Sequence, residues 1–155
     1  MKTIKISTAN SKDRKQLIEW FRHYKSKRLI RQRVECYTSH CFTTVAKDKE
    51  KIIGVLQWYV KENPNDGVAE FEEVFVSPSY RGQGIGSMLV SESIDAVKKY
   101  FKKVKIRPRK IFLFVGKKNI DAKRLYEKNG FKFRSNVGNL FSDNENELYY
   151  ILDKL

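Results

Sequence analysis

The chain has 155 residues, 41% of them hydrophobic and 32% charged, a size that suits one domain able to bury about 70% of the surface its unfolded chain exposes. Folding therefore needs no metal or disulfide, the composition excludes disordered and collagen-like classes, and no run approaches the roughly 18 apolar residues of a membrane span. The formal charge of +14 favours polyanionic partners and says little about fold.

Lys2–Ser7 alternates and suits a first strand. Ser11 stands where it can cap a helix through Leu17, Ile18, Trp20 and Phe21. A second, very basic helix is expected around Lys25–Cys36, then two strands, Phe42–Ala46 and Ile52–Val60, joined by the charged turn Lys47–Lys51. Asn63-Pro64-Asn65-Asp66-Gly67 is a turn signal, and Val68–Val76 reads as the next strand. After a glycine-rich turn, Ile85, Leu89, Ala96, Val97, Tyr100 and Phe101 fall at helical spacing. Ile111–Val115 is an unbroken apolar run, expected at a sheet centre and buried on both faces. Asn119–Lys128 reads as a short helix stopped at Asn129-Gly130, where both residues tolerate the left-handed conformation. Phe131–Arg134 and Leu148–Asp153 supply two last strands. Residues 1–155 thus form a single domain of α/β (α+β) class, a mixed sheet with helices packed on it.

Cys36 and Cys41 lack paired metal-ligand spacing and have only His40 near them, so two reduced thiols and no metal site are expected. His23 and His40 fall in no catalytic spacing. Lysine interrupts the N-terminus, and no signal-peptide core follows, so a cytoplasmic location without membrane attachment is the expectation.

The strongest signal is the strand–turn–helix run Val74-Phe75-Val76-Ser77-Pro78-Ser79-Tyr80-Arg81-Gly82-Gln83-Gly84-Ile85-Gly86-Ser87. The first N–H groups of a helix have no internal partners and carry partial positive charge. Glycines let an anion approach them, and Arg81 adds a fork suited to phosphate. A Walker loop would need Lys-Ser/Thr where Ser87-Met88 stands. A dinucleotide fingerprint would place glycines directly after the strand and an acid about 20 residues on, whereas Ser77–Arg81 intervene and the downstream region is lysine-rich.

Arg81-x-x-Gly84-x-Gly86, with the Val-Phe-Val-Ser-Pro-Ser-Tyr lead-in, resembles the pyrophosphate loop of the GNAT acetyltransferase superfamily. Asn119-Ile-Asp-Ala122-Lys-Arg-Leu125-Tyr126-Glu-Lys-Asn-Gly130-Phe131 is similar to that family's second cofactor segment. The resemblance covers about half the chain, Val68 to Phe133. It implies the GNAT fold, a mostly antiparallel mixed sheet with splayed central strands, here Val68–Val76 and Ile111–Val115. It also implies acetyl-CoA as cosubstrate, its pantetheine arm on Phe75 and Val76. Its pyrophosphate would lie on the loop of Arg81, Gly82, Gln83, Gly84, Ile85, Gly86 and Ser87, with Asn119 beside it.

An amine attacking a thioester must first lose a proton, which for a lysine-like amine costs about 4.6 kcal/mol at pH 7. A base meets part of that cost, and the departing thiolate benefits from a proton donor. The resemblance makes Tyr126 the donor. Glu70, Glu72 and Glu73 crowd one strand; alternation puts Glu70 and Glu72 on one face and Glu73 on the other, unless a bulge changes the phase. Glu72-Glu73 resembles the acidic pair of the diamine and polyamine acetyltransferase branch. That implies Glu72 as base through water and Glu73 as amine contact, while the choice among the three stays open.

The basic runs Arg22–Arg33 and Lys98–Lys110 fit a solvated surface, and CoA accounts for part of the charge. The resemblance implies that the first two helices border the acceptor cleft, where Arg22–Arg33 as a docking wall would favour an acidic acceptor or a nucleic acid such as aminoacyl-tRNA, with Trp20, Phe21 and Tyr24 near enough to stack. A non-catalytic acyl-CoA-binding module is the third alternative. Many family members dimerise, which leaves a homodimer open.

Overall fold

The computed structural model describes residues 3–21, 26–39, 42–141 and 143–155. His23, Tyr24, His40 and Cys41 lie outside them, as does the part of the basic wall at 22–25. Seven strands form one sheet: β1 (Ile4–Thr8), β2 (Phe42–Asp48), β3 (Lys51–Val60), β4 (Val68–Val76), β5 (Lys110–Gly116), β6 (Lys132–Asn136) and β7 (Glu147–Leu152). Their order across the sheet is β1-β2-β3-β4-β5-β7-β6. Every pairing is antiparallel except β4 with β5. Four α-helices accompany it: α1 (Arg14–Trp20), α2 (Lys27–Ser39), α3 (Ile85–Lys103) and α4 (Ile120–Lys128). None of these helices is long and apolar enough to cross a membrane.

Alternation along the strands sorts apolar side chains into two cores. Ile53, Leu56, Trp58, Ala69, Phe71, Ile111, Leu113 and Val115 pack with Leu89, Val97 and Phe101 of α3 and Tyr126 of α4. On the opposite face Val45, Ile52 and Val55 pack with Leu17 and Phe21 beside α1 and with Ile30 and Val34 of α2. The second core covers β2 and β3 only. Phe112 and Phe114 consequently stay part-exposed while Ile111, Leu113 and Val115 are buried. The expectation of a β5 buried on both faces is corrected: no described helix covers its second face.

Local chemistry sets the entries and exits of these elements. The turn before α1 is opened by Asn10 rather than Ser11: its side chain accepts from the Lys12 N–H at 2.9 Å, and Asp13 accepts from the Asn10 N–H at 3.1 Å. The reciprocal bonds satisfy donors that a helix start leaves orphaned. At the end of α4 only Gly130 is left-handed, at φ 89. Gly67, at φ 64, closes the turn before β4, and an added Cβ would lie 2.1 Å from the Arg107 carbonyl oxygen. Its own carbonyl accepts from Arg109 N–H at 2.8 Å. That close approach ties the start of β4 to the segment leading into β5.

Candidate active site

β4 and β5 are held together at one end only. Val68, Ala69 and Glu70 pair with Lys110, Ile111 and Phe112; from Phe71 and Leu113 onward these strands part. The cause lies in β4. Leu56 pairs with Val74 but Trp58 pairs with Phe71, so three residue steps on β4 match two on β3. This is a bulge in which Glu72 and Glu73 together stand opposite Gln57. A bulge bends its strand and increases its twist, which here turns β4 away from β5. It also changes the phase. Phe71 and Val74 both belong to the α3–α4 core, so both intervening carboxylates turn toward the other face. Simple alternation would have separated them.

The three carboxylates differ in their surroundings. Glu70 is buried, accepts from the Tyr59 hydroxyl at 2.5 Å and pairs with Lys61 Nζ at 3.5 Å. Those partners occupy its carboxylate at the closed end of the split. Glu73 is half-buried, with its Oε2 atom out of contact with solvent. Its charge reaches Tyr126 of α4, whose phenol is held well above its ordinary pKa, first by burial and then by Glu73. Tyr126 is 5% exposed, packs edge-on to Phe131 at 5.7 Å and so lies beneath the split. Glu72 is half-buried beside Glu73 in the bulge.

Sequence reading passed over Gln57, which is fully buried opposite the bulge. Among the described residues neither its amide nitrogen nor its amide oxygen finds a hydrogen-bond partner. The available signal was a glutamine inside the otherwise apolar run Ile52–Trp58.

The glycine loop stands at the open end of the split. Gly82 and Gly84 are left-handed, at φ 75 and φ 78, and a Cβ added at either would meet nothing within 4 Å. Gly84 is the N-cap of α3, and no side chain caps that terminus. Free N–H groups, a helix dipole and open space above two glycines make a cradle of the right chemistry for a pyrophosphate. The same observations fit coenzyme A to this chain.

The other expected loop residues divide by role. Ile85 is 2% exposed and anchored in the core, so only its backbone can serve a ligand. A Cβ on Gly86 would meet Leu125 Cδ2 at 3.3 Å, so this glycine lets α3 lie close to α4. Ser87 accepts from Asn129 Nδ2 at 3.3 Å. Gln83 is exposed and reaches the Ser79 carbonyl at 3.5 Å. Arg81 folds back so that Nε donates to the Val76 carbonyl at 3.1 Å, with its guanidinium 5.5 Å from the Phe75 ring centre. Phe75 also meets Trp20 edge-on at 5.2 Å. Asn119 caps α4, its side-chain oxygen accepting from Ala122 N–H at 3.1 Å. Only its amide N–H groups are left for a cofactor.

The basic run 98–110 lies at the far end of α3 from this loop. Lys98 stands 13 residues beyond Ile85, where the helix begins, so the run starts roughly 20 Å from the loop. That run therefore does not serve the phosphates of a ligand on the glycine loop.

Comparison with known proteins agrees with this geometry. The sequence pattern described as Acetyltransferase (GNAT) family matches residues 10–131. An uncharacterized N-acetyltransferase of Methanocaldococcus jannaschii is 37% identical over 65 residues, 42% of this chain and 26% of that protein. The chain thus matches about a quarter of that relative's length. A GCN5-related N-acetyltransferase from Kribbella flavida superposes with a TM-score of 0.79 at 20% identity, covering 97% of this chain and 98% of its own. A Salmonella typhimurium chain named as an acetyltransferase, solved with its cofactor acetyl-CoA, superposes with a TM-score of 0.78 at 17% identity, covering 97% and 93%. The chain belongs to the GNAT acetyltransferase family, whose acyl donor is acetyl-CoA.

Proposed function

We propose that the chain transfers an acetyl group from acetyl-CoA to a primary amine by direct attack in a ternary complex. One observation carries the reading: β4 and β5 part where the bulge brings Glu72 and Glu73 to one face, with the α3 cradle at the open end. Acetyl-CoA supplies the activated acyl group; the chain's residues bind, orient and move protons. The N–H groups of 81–87 hold the pyrophosphate, while the edge of β4 at Phe75 and Val76 that has parted from β5 receives the pantetheine arm. An N–H aimed at the acyl oxygen polarises it as charge builds there.

Glu72 takes the ammonium proton through water, and Glu73 orients the amine. Glu70 is excluded from the base role because Tyr59 and Lys61 already hold its charge. Tyr126 offers its O–H to the sulfur as negative charge grows on it. With its pKa raised by burial, the phenol keeps its proton throughout the range of ordinary assays and works through a hydrogen bond.

The test is acetyl-CoA-dependent thiol release against pooled amines, amino acids, peptides and charged tRNA, with mass spectrometry of the products. Acetylated product in any pool supports the reading. Acetyl-CoA binding without thiol release in every pool would leave a binding module.

A further inference from the structure

Acceptor choice is written on the uncovered face of β5 and β7. Leu113 and Val115, like Leu148 and Tyr150, point into the α3–α4 core. Alternation therefore sets Phe112, Phe114 and Tyr149 on the opposite face, the face that also carries the β4 carboxylates. These rings form one wall: Phe112 to Phe114 5.9 Å, Phe112 to Tyr149 5.7 Å and Phe114 to Tyr149 5.3 Å between centres. Phe141, 71% exposed, extends it by standing 5.8 Å from Phe114. Phe112, Phe114 and Tyr149 are only partly covered. Glu70 pairs in register with Phe112, and Phe114 stands two residues further along β5, on the side where the strands part. An amine at Glu72 and Glu73 would have the ring wall across the opening gap.

Charge decides between two kinds of amine. Lys61 Nζ already sits 5.5 Å from the Tyr59 ring centre, 5.7 Å from that of Phe112 and 3.5 Å from Glu70. A second ammonium brought along the trough toward Glu70 would meet this cation. An apolar group on the wall meets no such penalty and gains from ring contact.

Resting on the acetyl-transfer reading, we infer that the acceptor is a monoamine carrying an aromatic or flat apolar group on a short linker. The ammonium lies at Glu72–Glu73, the apolar group lies against Phe114, Tyr149 and Phe141 clear of the Lys61 ammonium over Phe112, and Lys61 disfavours linear diamines.

The experiment compares 2-phenylethylamine, ethylamine and 1,4-diaminobutane as acceptors. Calorimetric binding of each amine to the CoA-loaded protein provides a readout that needs no turnover. The expected kcat/KM for 2-phenylethylamine exceeds that for ethylamine by about a hundredfold, as burial of one ring allows. Phe114→Ala lowers kcat/KM for 2-phenylethylamine about tenfold more than it lowers that for ethylamine. Phe141→Ala, at an exposed position, acts in the same direction without touching the fold. Lys61→Ala raises kcat/KM for 1,4-diaminobutane several-fold relative to ethylamine. Preference for the diamine in the unaltered protein overturns the inference, as does a Phe114→Ala effect equal on both monoamines. If no amine is acetylated but 2-phenylethylamine binds and Phe114→Ala weakens it, the acceptor site stands and the acetyl-transfer reading falls. If it neither binds nor reacts, the inference is wrong.

Discussion

Replacing Gly84 by alanine tests the cofactor cradle most directly. The residue is left-handed, at φ 78, and a Cβ there meets nothing within 4 Å. The protein should therefore fold, losing only the left-handed penalty of about 1–2 kcal/mol. The new methyl would stand in the space the pyrophosphate needs. Displacing two charge-assisted hydrogen bonds, each worth about 1.5–3 kcal/mol, weakens acetyl-CoA binding by roughly 3–6 kcal/mol, or about 10²–10⁴-fold in Kd. Gly67→Ala is the control. That glycine shares the backbone conformation, but its Cβ would fall 2.1 Å from the Arg107 carbonyl, so thermal stability collapses there instead. The assays are calorimetric titration with acetyl-CoA and thermal melting. An acetyl-CoA Kd within threefold of the unaltered protein in a well-folded Gly84→Ala would refute the loop assignment.

Other outcomes follow from the site. Tyr126→Phe should lower kcat at least tenfold with acetyl-CoA Kd unchanged within threefold; equal losses in both would make Tyr126 a packing residue only. Glu72→Gln should lower kcat/KM at least tenfold, whereas Glu70→Gln should leave it within threefold; the reverse pattern reassigns the base. Gln57→Met removes two buried amide atoms without partners, each costing about 1–3 kcal/mol, and should raise the melting temperature; a fall of several degrees would show that the amide is satisfied in solution. Burial and the Glu127 hydrogen bond push the Tyr150 phenol up to about 12, and burial raises Tyr126 as well. The unfolded chain therefore releases these protons first, so stability is full below pH 10 and declines as pH rises toward 12. Tyr150→Phe should flatten that decline, and a slope unchanged by the substitution would refute this account.

The sequence by itself determined the elements and the cofactor cradle. Val68–Val76 was bounded correctly because the turn Asn63–Gly67 and the break Ser77-Pro78 punctuate it. The glycines of the loop could be read as letting an anion approach the backbone because that freedom is local to the residue, while their left-handed conformation is a finding of the structure. Asn10 in place of Ser11 was a choice between neighbouring capping residues, settled by which side chain reached the free N–H groups.

Tertiary structure alone decided where the three carboxylates lie and what they touch. Alternation separates Glu72 from Glu73, and only the register between β3 and β4 reveals that a bulge reunites them. Tyr59 and Lys61 neutralise Glu70 from another strand and the turn beyond it, a pairing no local pattern announces. The apolar run of β5 signalled burial on both faces, yet burial depends on what lies above a strand, and the second core lies on β2 and β3 and reaches β4 at Phe75 through Trp20. Periodicity reports which residues share a face; whether that face meets a helix, solvent or substrate is settled by elements distant in sequence.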